Sequence, residues 1–157
     1  MALYPVAGCK FWISTNPFAE LPVDAVHADF STVSWIEVKK WTQMGTFGDS
    51  AQLINTDLIG EGRTKKQKGT KNAGSMANVF AADSSDPGQQ KMVAASASYS
   101  SYAFKVELND KVTLTNSTRE FYGLVMTAQS VGGGANTVQT LNATVEINSN
   151  VVANAAS

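Results

Sequence analysis

Apolar and polar positions alternate along most of this chain, a pattern that points to strands far more often than to helices. Residues 102 to 108 show it most regularly. Tyr102, Phe104, Val106 and Leu108 alternate with Ala103, Lys105 and Glu107, and a period of two puts the four large side chains on one sheet face. Asn109-Asp110 predicts a turn, and Val112 and Leu114 between threonines predict the returning strand of a hairpin. Residues 121 to 126 are almost continuously apolar, the mark of a strand covered on both faces, with Gly123 signalling a close backbone approach or a bulge. After Gly132-Gly133-Gly134 the alternation resumes over residues 138 to 147, so the glycines predict the tip of a long hairpin. Residues 33 to 38, 41 to 47, 51 to 55 and 75 to 80 predict further strands from their β-branched and aromatic content.

Only one segment carries a helix start. Asp86-Pro87-Gly88-Gln89 supplies an N-cap acid, a proline at the first helical position and a glutamine three residues after the cap. About three turns follow, with Met92, Val93 and Ala97 as a narrow apolar stripe. The expectation is a mainly β, antiparallel body flanked by one α-helix. A chain of 157 residues fits one domain. Within it, residues 1–30 read as an N-terminal arm with the first strand, and residues 149–157 as a C-terminal arm.

Residues 60–74 break the regularity with four glycines, Arg63, Lys65, Lys66, Lys68 and Lys71, and they read as a long basic loop. Residues 61 to 71 carry five cations and one anion, a net +4, leaving −5 for the rest of a chain whose total is −1. Every copy therefore carries both a cationic loop and an anionic body, and docking of one on the other across copies is the economical expectation. A phosphate cradle lacks the G-x-x-x-x-G-K-[ST] spacing, and nucleic-acid recognition lacks interleaved aromatics. Charged residues are 16% and apolar residues 43% of the chain, with Ser, Thr, Asn and Gln filling most polar positions, a composition suited to neutral contact between subunits.

Chemistry is sparse. A lone Cys9 excludes an internal disulfide, and a lone His27 leaves too few soft ligands for zinc. No catalytic motif is present, so no catalytic residue, metal or cofactor is expected. Cys9 beside Lys10 reads as a small buried residue, and His27 near Asp29 lacks a nucleophile to serve. Trp12, Trp35 and Trp41 could line a sugar platform, but scattered through a β body they read first as core or interface anchors. No apolar run approaches the roughly 18 residues that span a bilayer, and a secretory signal is missing, so a cytosolic product with no membrane partner is expected.

The order of features resembles the tail tube (major tail) proteins of long-tailed, non-contractile bacteriophages. Trp35-Ile36-Glu37-Val38 leads through Gly45-Thr46-Phe47-Gly48 to the Arg63-Thr64-Lys65-Lys66-Gln67-Lys68-Gly69 segment. Asp86-Pro87-Gly88-Gln89-Gln90, Phe104-Lys105-Val106, Phe121-Tyr122-Gly123 and Gly134-Ala135-Asn136-Thr137-Val138 follow, so the resemblance covers roughly residues 31 to 151. It implies a β-sandwich or split barrel flanked by a helix, forming a single tail tube domain. It implies six copies in a ring, rings stacked into a hollow tube in the virion, and double-stranded DNA passing through the lumen without specific binding. Tape measure, tail terminator and distal tail proteins are the implied partners. Lysines lining such a lumen would hold DNA electrostatically, so Arg63, Lys65, Lys66, Lys68 and Lys71 are expected between rings. Gln89, Met92 and Val93 are expected at the subunit boundary. The related readings are the inner tube of a contractile secretion device and, from another class, a carbohydrate-binding sandwich.

Overall fold

The computed structural model describes residues 3 to 157; residues 1 and 2 of the N-terminal arm lie outside the described residues. Twelve elements follow one another: β1 (Lys10–Ser14), α1 (His27–Phe30), β2 (Trp35–Val38), β3 (Trp41–Gln43), β4 (Ser50–Thr56), β5 (Lys65–Asn72), β6 (Ser75–Ala81), α2 (Pro87–Ala97), β7 (Tyr102–Glu107), β8 (Thr118–Val131), β9 (Thr140–Ile147) and β10 (Val152–Asn154). Antiparallel pairing orders the main sheet β2-β1-β7-β8-β9-β6-β3, with β10 added to β8, while β4 and β5 form a separate two-stranded sheet.

The sheet curls almost closed. Its outermost strands, β2 and β3, are joined by Lys39 and Lys40 alone, a link that cannot span more than roughly 11 Å. Side chains pointing inward from the curled sheet make the core: Phe11 lies 5.3 Å from the Trp41 ring, 5.7 Å from Phe104 and 5.9 Å from Phe80. Met76, Val106, Phe121 and Val145 are fully buried beside them. This is the split, helix-flanked β-sandwich expected from the sequence.

Helix α2 closes one side of the core by packing on β8, β2 and β1. Met92 and Ala95 are its fully buried apolar positions, whereas Val93 and Ala97 are exposed, so the apolar stripe is rotated from the predicted one. The N-cap is as predicted: the Asp86 carboxylate accepts from the Gln89 amide at 3.2 Å. The Gln89 side chain does not turn back onto the cap. It donates to the carbonyls of Lys39 (3.1 Å) and Ala81 (2.8 Å) and accepts from the Asp83 amide (2.9 Å). Asp86 also accepts from the Lys39 amide at 3.0 Å. Buried backbone groups need such partners, so the helix start stitches the seam where β2 passes to β3.

Gly88 makes that seam possible, because a Cβ there would collide with the Glu37 carbonyl oxygen and the Val38 Cα. Gly88→Ala is expected to cost about 1–3 kcal/mol by overpacking, despite the gain of about 1 kcal/mol in helix propensity. A melting temperature lowered by several degrees checks this; an unchanged or raised one contradicts the contact. The same seam includes Asp83, whose carboxylate accepts from the Ser85 hydroxyl and amide and pairs with Lys40 at 3.1 Å. The Ser85 hydroxyl and Lys40 hold its pKa down to about 2. Because the folded value lies below that of an unfolded Asp, about 4, its stabilisation is present above pH 4 and is lost as pH falls from about 4 to about 2. A carboxyl titration followed by NMR should place the Asp83 midpoint near 2; a midpoint near 4 contradicts the bonding.

Several expectations are corrected. Residues 60–74 are not a loop throughout, since Lys65–Asn72 is a strand paired with Ser50–Thr56 and only residues 57 to 64 form the irregular tip. Residues 112 to 115 are not a strand. Val112 and Leu114 are exposed, and the amides of Thr113, Leu114 and Thr115 converge on the Ser157 backbone oxygen at 2.6–3.0 Å. The strand predicted over residues 41 to 47 ends at Gln43, and a one-turn helix, α1, joins the single predicted one.

Candidate assembly surfaces

The β4–β5 hairpin stands apart from the core, and nearly all of its residues are exposed on both faces. Pairing sets Lys71 opposite Ala51, Lys68 opposite Leu53 and Lys66 opposite Asn55, and these six residues share one face; Ile54 with Gln67 and Thr56 with Lys65 share the other. A register shift between Ala51 and Leu53 keeps Lys71 in line with Lys66 and Lys68. At the tip Lys65 pairs with Glu61 at 3.2 Å, and Thr64 donates to Asp57 at 2.7 Å. Among the described residues, no acidic group lies within ion-pair distance of Arg63, Lys66, Lys68 or Lys71. Leu53, Ile54, Leu58 and Ile59 are exposed, Ile59 completely. A lone two-stranded hairpin is marginal in water, and covering those aliphatic groups is worth about 1.5–3 kcal/mol for each one fully buried.

At the hairpin's base opens a groove of about 960 Å³ between the strand ends, residues 147 to 151 and Val23-Asp24. Its carboxylates are Asp24 and Asp49, both exposed and neither in an ion pair among the described residues.

Gln89 and Met92, expected at the subunit boundary, are 4% and 0% exposed and belong to the interior of their own chain. Val93 alone of the three reaches the surface, on a helix face that also presents Gln90, Ala94 and Ala97.

The terminal segments are folded down by buried polar contacts. On the outer sheet face Phe18 and Phe30 pack on Tyr122, with ring centroids 5.2 and 4.7 Å away, so the N-terminal arm has an apolar anchorage of its own. The Asn150 amide accepts from and donates to the backbone of Ala25 at 2.7 and 3.0 Å. Glu120, 2% exposed, accepts from His27 Nδ1 at 2.8 Å and from Asn154 Nδ2, tying α1 and β10 to β8. His27 and Asp29 form no acid–base pair, since Asp29 accepts from the Val26 amide. Lys105, opposite Glu120 in register, lies 4.9 Å from the Trp12 ring and 5.1 Å from Trp35. Burial pulls its pKa below the ordinary lysine range, and Glu120 and Glu107 pull it back.

The three tryptophans share no open face. Trp41 packs on Phe11 and Phe80 inside the sheet, while Trp12 and Trp35 on the outer face are occupied by Lys105. Cys9 is half-buried. No group of three potential metal ligands occurs among the described residues, and no helix there is long and apolar enough to cross a membrane. The basic segment stands out in the sequence, but nothing there reveals that Asp24 and Asp49 lie beside its base, or that Glu120 joins His27 and Asn154.

No family model matches the chain, and no curated protein matches it by sequence. Solved structures do. A chain of the sheath/tube terminator structure of an extracellular contractile injection system, PVC, in its extended state is similar at TM-score 0.70 and 12% identity, over 99% of each chain. The SPP1 tail tube is similar at 0.66 and 11%, over 96% of this chain and 80% of that one. A chain of the anti-feeding prophage baseplate is similar at 0.61 and 16%, over 99% and 98%. At such identities the likeness establishes the fold, which is that of tail tubes and tube terminators.

Proposed function

We propose that the protein is a structural tube subunit of a phage tail: six copies close into a ring, rings stack into a hollow tube, and genomic DNA passes through the bore. Tape measure, tail terminator and distal tail proteins are its partners in that setting. The observation that carries this reading is the β4–β5 hairpin, which offers three unpaired lysines and exposed aliphatic side chains on a fold otherwise packed around its own core. A second copy of this chain supplies the matching anionic surface, because the remainder carries the opposite charge. Placing Arg63, Lys65, Lys66, Lys68 and Lys71 between rings keeps the bore free of cations that would retain DNA. Four strands from each of six copies, joined into one inner barrel, would give a backbone diameter of about 48 Å, enough for a duplex after side chains.

A second reading, the inner tube of a contractile injection device, is favoured by the likeness to the PVC chain. Both share one assembly and differ in what travels through it and in whether a sheath surrounds it.

Sedimentation velocity tests the shared assembly. Six copies of 16.7 kDa form a ring of about 100 kDa, and the expected pattern is rings and larger stacks at low salt, with stacks dissolving toward rings as salt rises. A single species of one chain's mass at all concentrations contradicts it.

A further inference from the structure

We propose that the lysine face of the β4–β5 hairpin docks in the groove at the hairpin base of a second copy, with Asp24 and Asp49 of that copy as counter-charges to Lys66 and Lys68. This rests on the self-assembly reading and names the contact that reading requires.

The face is an unpartnered sheet surface with one sign of charge. Lys66, Lys68 and Lys71 point the same way along β5, and Lys66 and Lys68, two residues apart, sit about 7 Å from each other. That is within the roughly 8 Å Debye length at physiological salt, so they repel one another until an anionic surface covers them. The other face has its lysine, Lys65, already matched by Glu61. Leu53 lies opposite Lys68 and is exposed, giving the charged face an apolar centre.

The groove is the complement. It is polar, wide enough at about 960 Å³ to admit part of a strand with its side chains, and its carboxylates are both unpaired among the described residues. A copy's own Lys68 shares a smaller cleft with Asp49 and Lys71, whereas its Lys66 is carried away from the groove. Lys66 is five residues beyond Lys71, which lies at the groove's edge, so it is displaced along the strand by about 16 Å. Lys66 reaches the groove only from another copy, which brings its Lys68 with it. Face and groove overlap at Ala51 and Lys71, while Lys66 and Asp24 lie outside the overlap; a copy that offers its outer lysines to one neighbour and its groove to another makes a head-to-tail contact, which closes into a ring or continues as a filament according to the rotation between copies.

Charge exchange tests this. Lys66→Glu with Lys68→Glu makes one variant, and Asp24→Lys with Asp49→Lys makes another; all four positions are exposed, so both are expected to keep the wild-type melting temperature. Each alone should assemble at least tenfold more weakly than wild type in sedimentation. An equimolar mixture should recover assembly, because each variant's hairpin then meets an oppositely charged groove. Loss of assembly in the hairpin variant with normal assembly in the groove variant would overturn the proposal while leaving self-assembly intact. Failure of the mixture to recover would overturn it likewise. A wild-type chain that stays monomeric would remove the reading beneath it as well. Retention of a 30-base-pair DNA duplex by wild type but not by the hairpin variant, with the groove variant assembling normally, would reassign the face to nucleic acid and overturn it.

Discussion

Met92→Asp is expected to unfold the sandwich at temperatures where the wild type is intact. Met92 has no exposed surface and lies in the same cluster as Phe11, Phe104, Phe121 and Val38. Truncating its side chain forfeits about 1.5–3 kcal/mol of burial. The carboxylate put in its place adds a desolvation penalty of several kcal/mol, or is neutralised by taking up a proton. Together these reach about 4–6 kcal/mol, against a total stability of about 5–15 kcal/mol for an ordinary domain. A fall in melting temperature of roughly 10–20 °C checks this. Met92→Leu, which conserves volume, should cost less than about 1.5 kcal/mol. Val93→Asp, one position along on the exposed face, should leave the fold alone and lower assembly if the helix borders a neighbour. A Met92→Asp protein as stable as wild type would mean that α2 does not close the core.

Replacing Arg63, Lys65, Lys66, Lys68 and Lys71 together by Ser should weaken assembly by at least tenfold and abolish its dependence on salt. All five side chains are exposed and only Lys65 has an ion-pair partner within the chain, so the fold itself should be nearly indifferent. Exposed ion pairs are worth about 0.2–1 kcal/mol each. Even two such pairs per subunit, repeated around a ring, would be enough to decide whether stacks persist. Sedimentation from low salt to 1 M, where the Debye length shrinks to about 3 Å, separates the outcomes. Unchanged assembly with unchanged salt dependence would remove these five side chains from the contact.

The two halves of the fold were not equally legible. Strands β7 and β9 stand out because one face of each is buried, so period two leaves an apolar trace. Strand β5 leaves none. Neither of its faces meets the core, its side chains are lysine, glutamine, threonine, asparagine and glycine, and only backbone pairing with β4 makes it a strand. Val112 and Leu114 mislead in the opposite sense, alternating without any sheet to receive them. Strand β1 is obscured because Trp12, on the outer face beside Lys105, turns an alternating segment into the continuous run Phe11-Trp12-Ile13. Asp86 and Pro87 announce the helix correctly, while Gln89 reads as a local cap; its real partners, Lys39 and Ala81, are brought to it only by closure of the sheet. The same holds at the surface. The cationic segment is a run in sequence, but His27 and Glu120 are 93 residues apart and Asp24 and Asp49 are separated by strands.

Direct imaging is the decisive measurement. Negative-stain electron microscopy of the purified chain at low salt is expected to show annular particles with six-fold symmetry and an open centre, some stacked into short tubes. Fields of dispersed particles the size of one chain, at concentrations and salt where no assembly is detected by sedimentation either, would contradict the account.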